Sequence, residues 1–191
     1  MLHKVLEEIA TRFNDFLLPQ SGGSNSLFKL IVGDISKNEN AQDSDTADSI
    51  QNNIVLTLVN IEEEHSLKNN YPIRQDDTAF ISQKPTLYLN LYLLFTANFD
   101  RYEESLKHLG YVLQFFQMNN KISFTDAFGN TYNLLFSLHN IGFENMNNLW
   151  MVLGNSYIPS VIYKARLVFI QESPPNQGAV ITNVDTKEQL N

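Results

Sequence analysis

Residues 85–99 read PTLYLNLYLLFTANF. Leu87, Leu89, Leu91, Leu93 and Phe95 fall on one side of an extended chain, and Tyr88, Asn90, Tyr92, Leu94 and Thr96 on the other. Successive strand side chains point to opposite faces, so this is the strongest strand pattern in the chain. So apolar a face must be covered by other elements. Residues 53–62 give a second strand, with Ile54, Leu56, Leu58 and Asn60 on one face and Val55, Thr57, Val59 and Ile61 on the other. Both of its faces are largely apolar, which predicts a central strand or one covered on both sides. Residues 160–170 give a third, in which Val161, Tyr163, Ala165, Leu167 and Phe169 alternate with Ser160, Ile162, Lys164, Arg166 and Val168. A short strand is expected at 27–32, closed by Gly33-Asp34, and a strand pair at 121–125 and 132–141 around a turn at Gly129-Asn130.

Three helices complete the pattern. Leu2, Val5, Leu6, Ile9, Phe13, Phe16 and Leu17 recur at helical spacing. Asp100 and Glu103 predict a capped start for a helix with Tyr102, Leu106, Leu109, Leu113 and Phe116 as its stripe. Phe143, Met146, Leu149, Trp150 and Leu153 mark a third helix, with Gly154 as its stop. Consecutive strands without intervening helices exclude a doubly wound sheet. The expected fold is α+β: one domain over residues 1–170, a mixed sheet with about three packed helices.

Three segments stand apart. Residues 34–52 are polar and are expected to form a flexible acidic loop; with five acids against Lys37 they hold −4 of the net charge of −8. Residues 66–84 read as a polar loop, and 171–191, after Pro174-Pro175, as a C-terminal tail. The acidic balance argues against a nucleic-acid partner and an anionic membrane surface. No apolar run reaches the ~20 residues of a membrane span, and Glu7-Glu8 interrupts any leader-like core at the N-terminus. Assembly in the cytoplasm is expected, with export only as part of a larger particle. The absence of cysteine excludes disulfides, thiol nucleophiles and Cys-ligated metals.

Motifs for catalysis are lacking: there is no G-x-G-x-x-G, no Walker lysine motif and no G-x-S-x-G. The four histidines, His3, His65, His108 and His139, show no H-x-x-x-H pairing. Glu62-Glu63-Glu64-His65 is the one dense ionisable cluster. It reads either as an acid/base or metal site, for which at most two acids of a strand can converge, or as a solvated strand end facing a basic partner. Tyr88, Asn90 and Tyr92 either line a pocket or pack under a helix. No cofactor or enzymatic activity is indicated.

Three stretches nevertheless resemble one family. Residues 53–70 contain VNIEEE, and residues 85–117 carry P-x-L-Y-L-N-L-Y-x-L-F-x-A-N-F followed by L-x-x-L-x-x-V-x-x-F-F-Q. Residues 138–170 contain L-W-x-x-L-G-x-x-Y-x-P-S-V-x-Y-K-x-R. In order and wording these resemble the N-terminal domain of the tail-terminator (cap) proteins of contractile injection systems. The resemblance covers nearly everything outside the polar loops and tail. It implies a phage tail-terminator-like fold and a structural role: a ring, expected to be hexameric, on the baseplate-distal end of the inner tube and sheath. There it would end tube polymerisation and set particle length. Its implied partners are copies of itself, the tube and the sheath, in the cytoplasm during assembly and outside the cell in a released particle. Longer family members continue past the last strand, whereas this numbering ends at Asn191, which leaves open a sheath contact made by such an extension.

The residues expected at a subunit or tube interface are Glu62, Glu63, Glu64, His65, Tyr157, Lys164 and Arg166, which combine family wording with charge. Lys164 and Arg166 share a strand face and could meet a neighbouring subunit's Glu62 or Glu64. The competing functions are a monomeric protein-binding adaptor and a small-ligand enzyme with its site beside Tyr88 and Tyr92.

Overall fold

The computed structural model describes residues 2–19, 28–36, 50–64, 73–76, 79–82, 87–154, 156–170 and 176–179. Its elements are α1 (Leu2–Leu17), β1 (Leu30–Val32), β2 (Asn53–Glu63), β3 (Ile73–Asp76), β4 (Ala79–Ser82), β5 (Leu87–Asn98), α2 (Tyr102–Met118), β6 (Lys121–Thr125), β7 (Thr131–Leu138), α3 (Phe143–Leu153), β8 (Ser160–Ile170) and β9 (Asn176–Ala179). The strands that alternate most clearly in sequence are the inner strands of a six-stranded sheet ordered β1-β2-β5-β8-β7-β6. Only the β1–β2 pair is parallel; the other pairs are antiparallel. This is the expected α+β mixed sheet with three helices.

Strand β5 is paired along nearly its whole length, from Asn98 opposite Asn53 to Leu89 opposite Glu63 on one side, and through Leu87–Thr96 against β8 on the other. Alternation then builds two cores. Leu91, Leu93 and Phe95 join Ile54, Leu56, Phe136, Tyr163 and Leu167 under α1 and α2. Leu94 points the other way and joins Val55, Ile162 and the α3 residues Leu149 and Leu153. A bulge between Leu58 and Asn60 lets β2 change its phase against β5, so Asn60 stands opposite Tyr92 and Glu62 opposite Asn90. Burying each of these large side chains contributes roughly 1.5–3 kcal/mol.

Helix α1 packs as its stripe predicts, burying Val5, Leu6, Ile9, Phe13 and Leu17. The ring of Phe13 meets Phe115 of α2 edge-on at 5.2 Å. Asn14 covers the outer edge of β1: its amide donates to the Leu30 carbonyl at 3.0 Å and its carbonyl accepts from the Leu30 N–H at 2.7 Å. At the far side of the sheet the predicted turn forms, with Gly129 at φ 79°. The Asp126 carboxylate gathers that turn, accepting from Asn130, from the Phe128 N–H and from Lys4 of α1. Burial pushes its pKa up, but these hydrogen bonds outweigh that and hold it well below the usual carboxylate range. Gly154 ends α3 in the left-handed region at φ 69°, as expected.

Several expectations are corrected. The buried face of α2 is Ser105, His108, Leu109, Val112, Phe115 and Phe116, while Tyr102, Leu106 and Leu113 are exposed. Two apolar stripes share this helix, and the aromatic one takes the core. Asp100 does not cap α2; its carboxylate accepts from the side chains of Gln51 and Asn52, fastening the start of β2 to the end of β5. Segment 66–84 contains strands β3 and β4, which form a small antiparallel sheet with β9 from the C-terminal segment. Neither stretch carries the apolar alternation by which strands are read. The acidic segment 34–52 is pinned at both ends by Ile35 and Ile50, packed in the second core; residues 37–49 lie outside the described ones.

His108 is a core residue, 2% exposed, stacked on Phe99 at 4.1 Å and touched edge-on by Phe28. Its Nδ1 lies 2.6 Å from the Glu104 carbonyl, which can only accept, so Nδ1 carries the proton; Nε2 is buried without a partner among the described residues. Burial lowers its pKa, partly opposed by the Glu104 backbone contact. The folded state therefore binds this proton less readily than the unfolded chain. Its contribution to stability is complete well above the ordinary value near 6.5 and is lost as pH falls below it, with a limiting slope of about 1.4 kcal/mol per pH unit. Urea unfolding at pH 7 and pH 5 is expected to show this acid loss, and His108→Phe is expected to flatten it.

Candidate assembly surface

The face of the sheet opposite α1 and α2 is only half covered. Helix α3 sits over the Val55–Leu94–Ile162 end. Beyond it, register places Asn60, Tyr92, Lys164 and Ser137 in one cross-strand row and Glu62, Asn90, Arg166, Leu135 and Lys121 in the next. Thus, among the described residues, no helix packs over Tyr92 and Asn90. Charged side chains cover them instead.

The geometry is that of one connected polar cluster. The Tyr92 hydroxyl donates to Glu62 Oε2 at 2.8 Å, and Asn60 Nδ2 donates to Glu62 Oε1 at 3.1 Å. The bond to Glu62, burial and the nearby carboxylates raise the Tyr92 pKa. Asn90, 4% exposed, donates from Nδ2 to Glu64 Oε2 at 3.0 Å, and Arg166 Nη2 lies 3.8 Å from the same oxygen. That last separation is an ion-pair contact rather than a hydrogen bond. Lys164 Nζ stands 6.0 Å from the centre of the Tyr92 ring, and His139 meets that ring edge-on at 4.9 Å. Asn90 Oδ1 and Arg166 Nε are buried without partners among the described residues.

The structure therefore brings Glu62, Glu64, Lys164 and Arg166 onto one face of a single subunit. Of the opposite charges, Arg166 and Glu64 meet within the chain, where sequence suggested a contact between chains. Glu63 falls on the other face, opposite Leu89. His65 lies outside the described residues. Tyr157 is elsewhere, beside α3, with its ring 6.1 Å from that of Trp150.

A second surface was not legible as such. Of the five α3 residues expected to be buried, only Trp150 is fully so, and Phe143 is 95% exposed. Phe143, Met146, Trp150, Met151 and Tyr157 line an open groove of about 680 Å³. The available signal was the length of the helix: with 11 residues, α3 offers more apolar side chains than one buried face accommodates.

A family model described as the Pvc16 N-terminal domain matches residues 5–183. The chain belongs to this family. No curated protein matches the sequence. Among solved structures, the PVC sheath/tube terminator of an extracellular contractile injection system, in its extended state, is similar at a TM-score of 0.56 and 12% identity, over 95% of this chain and 62% of that one. The tube-terminating cap of the anti-feeding prophage is similar at a TM-score of 0.51 and 14% identity, over 71% of this chain and 49% of that one. At these identities the likeness is one of fold. The chain corresponds to less than two thirds of either structure's length. In this chain the Pvc16 N-terminal domain carries an open charged sheet face and an apolar groove.

The two parts of the charged cluster are expected to differ in energy. Asn90→Leu removes a buried hydrogen bond to a carboxylate and should cost about 1–3 kcal/mol. Glu62→Gln, at the exposed end, should cost less than about 1 kcal/mol. Urea denaturation of the two variants checks the contrast.

Proposed function

We propose that this chain is a structural cap subunit of a contractile injection particle. Copies of it form a ring, six-fold in this reading, on the baseplate-distal end of the inner tube. The ring ends tube growth and so fixes particle length. The observation that carries the proposal is membership of the Pvc16 N-terminal domain family over residues 5–183, joined to a fold shared with two tube-terminating proteins. The role involves no reaction and no cofactor. The partners are further copies of the chain, the tube and, at its rim, the sheath. Assembly takes place in the cytoplasm, and the finished particle carries the cap outside the cell.

Within this proposal the sheet face bearing Glu62, Glu64, Lys164 and Arg166 is the surface turned to the tube end, with Glu63 at the margin where β2 runs out. A tube end is a repeating rim of identical subunits. A face with acids on β2 and bases on β8 offers both signs to each repeat and fixes its orientation.

Electron microscopy of particles from cells lacking this gene tests the role. Tubes of widely scattered length are expected, restored to uniform length by the wild-type gene; uniform tubes without the gene would remove the proposal. Lys164→Glu combined with Arg166→Glu is expected to leave the chain folded and to weaken its retention on purified tubes severalfold. Circular dichroism and tube co-sedimentation read the two effects separately.

A further inference from the structure

Two apolar surfaces are left uncovered, in layers on opposite sides of the sheet. One is the α3 groove, where Phe143 is 95% and Met151 70% exposed, and whose lining residues carry no charge. The indole N–H of Trp150, a lining residue, has no acceptor among the described residues. The other is the outward stripe of α2. Tyr102, Leu106 and Leu113 are all exposed and, at spacings of four and seven residues, fall along one narrow line of the helix. Gly110 lies beside that line, and a side chain there would meet nothing among the described residues. Glycine inside a helix costs about 1 kcal/mol relative to alanine, and no contact among the described residues offsets it. A second helix approaching closely would use that gap.

We infer that the α3 groove of one subunit receives the Tyr102–Leu106–Leu113 stripe of a second copy, head to tail. The inference builds on the ring proposed above and names the contact that closes it. Groove against groove would give an isolated two-fold pair and leave the α2 stripe bare. Groove against stripe uses both surfaces and repeats from copy to copy, which is the condition for a ring. The areas suit the contact. From the exposure of Phe143, Met151 and Tyr157 on one side and of Tyr102, Leu106 and Leu113 on the other, each surface offers on the order of 300–500 Å². That is about the apolar share of the ~800 Å² per partner of a stable interface. The charges flanking the stripe, Arg101 and Lys107 against Glu103 and Glu104, cancel and raise no barrier to approach.

The absence of cysteine makes the test clean. Leu106→Cys and Met151→Cys are introduced together and singly in the full-length chain, assembled with purified tubes, and treated with a short bifunctional maleimide. A ladder of covalent oligomers is expected from the double variant, and dimers only from an equimolar mixture of the two single variants. Neither single variant alone should crosslink. Phe143→Asp, at a position too exposed to affect folding, is expected to abolish oligomers while leaving thermal unfolding unchanged. Rings that form normally but give no ladder, or that crosslink in one single variant alone, would overturn this contact and leave the cap function standing. A chain that remains monomeric on tubes would overturn both.

Discussion

The structure depends on the double pairing of β5. A strand with leucine and phenylalanine on one face and leucine, threonine and tyrosine on the other cannot leave either side fully in water. β2 and β8 satisfy its backbone, and their alternation copies its two faces across the sheet. Everything else answers the surfaces so created. Helices α1 and α2 cover the first face, and α3 covers one end of the second. The helix α3 is too short to reach the rest, and there the sequence changes to Asn90, Tyr92, Lys164 and Arg166, which tolerate water.

Much of this was legible because it follows from period alone. The inner strands, the three helices, the Gly129 turn and the Gly154 stop all come from local pattern or backbone chemistry. What escaped has two physical origins. Where a helix carries two apolar stripes, as α2 does, periodicity cannot say which one meets the sheet; the aromatic pair Phe115 and Phe116 decides it through contacts with Phe13, Phe95 and Tyr163. Where strands are short and polar, as β3, β4 and β9 are, pairing is set by distant partners and leaves no local trace. Asp100 illustrates the same point for a single residue. It sits where a cap belongs, but Gln51 and Asn52 compete for its carboxylate and hold it.

The charged face shows how far sequence reaches into a site. Alternation correctly joined Lys164 to Arg166 and separated Glu62 from Glu63. It could not show that the β2 bulge brings Glu62 level with Asn90, or that Glu64 is held by Asn90 and approached by Arg166 of its own subunit. A face whose Glu62 and Glu64 carboxylates are already held by Tyr92, Asn60 and Asn90 is stiff. It presents a fixed pattern to a partner, which suits the recognition of a repeating surface better than flexible, unpaired charges would.

The attachment of α1 has a consequence in time. Its lysine and arginine reach across the fold to the other end of the sheet, Lys4 to Asp126 and Arg12 to the Ser123 carbonyl, 122 and 111 residues away in sequence. Its aromatic partner, Phe115, is nearly as distant. During translation the helix can meet β1 early, through Asn14 and Leu30, but its contacts with Phe115, Ser123 and Asp126 come only after β6 and β7 have been made and β8 has joined them to β5. At about 5–20 residues per second, that part of its apolar stripe waits several seconds for its partners. The nascent chain therefore carries a half-seated amphipathic helix, and closing the sheet through β8 is what completes its docking.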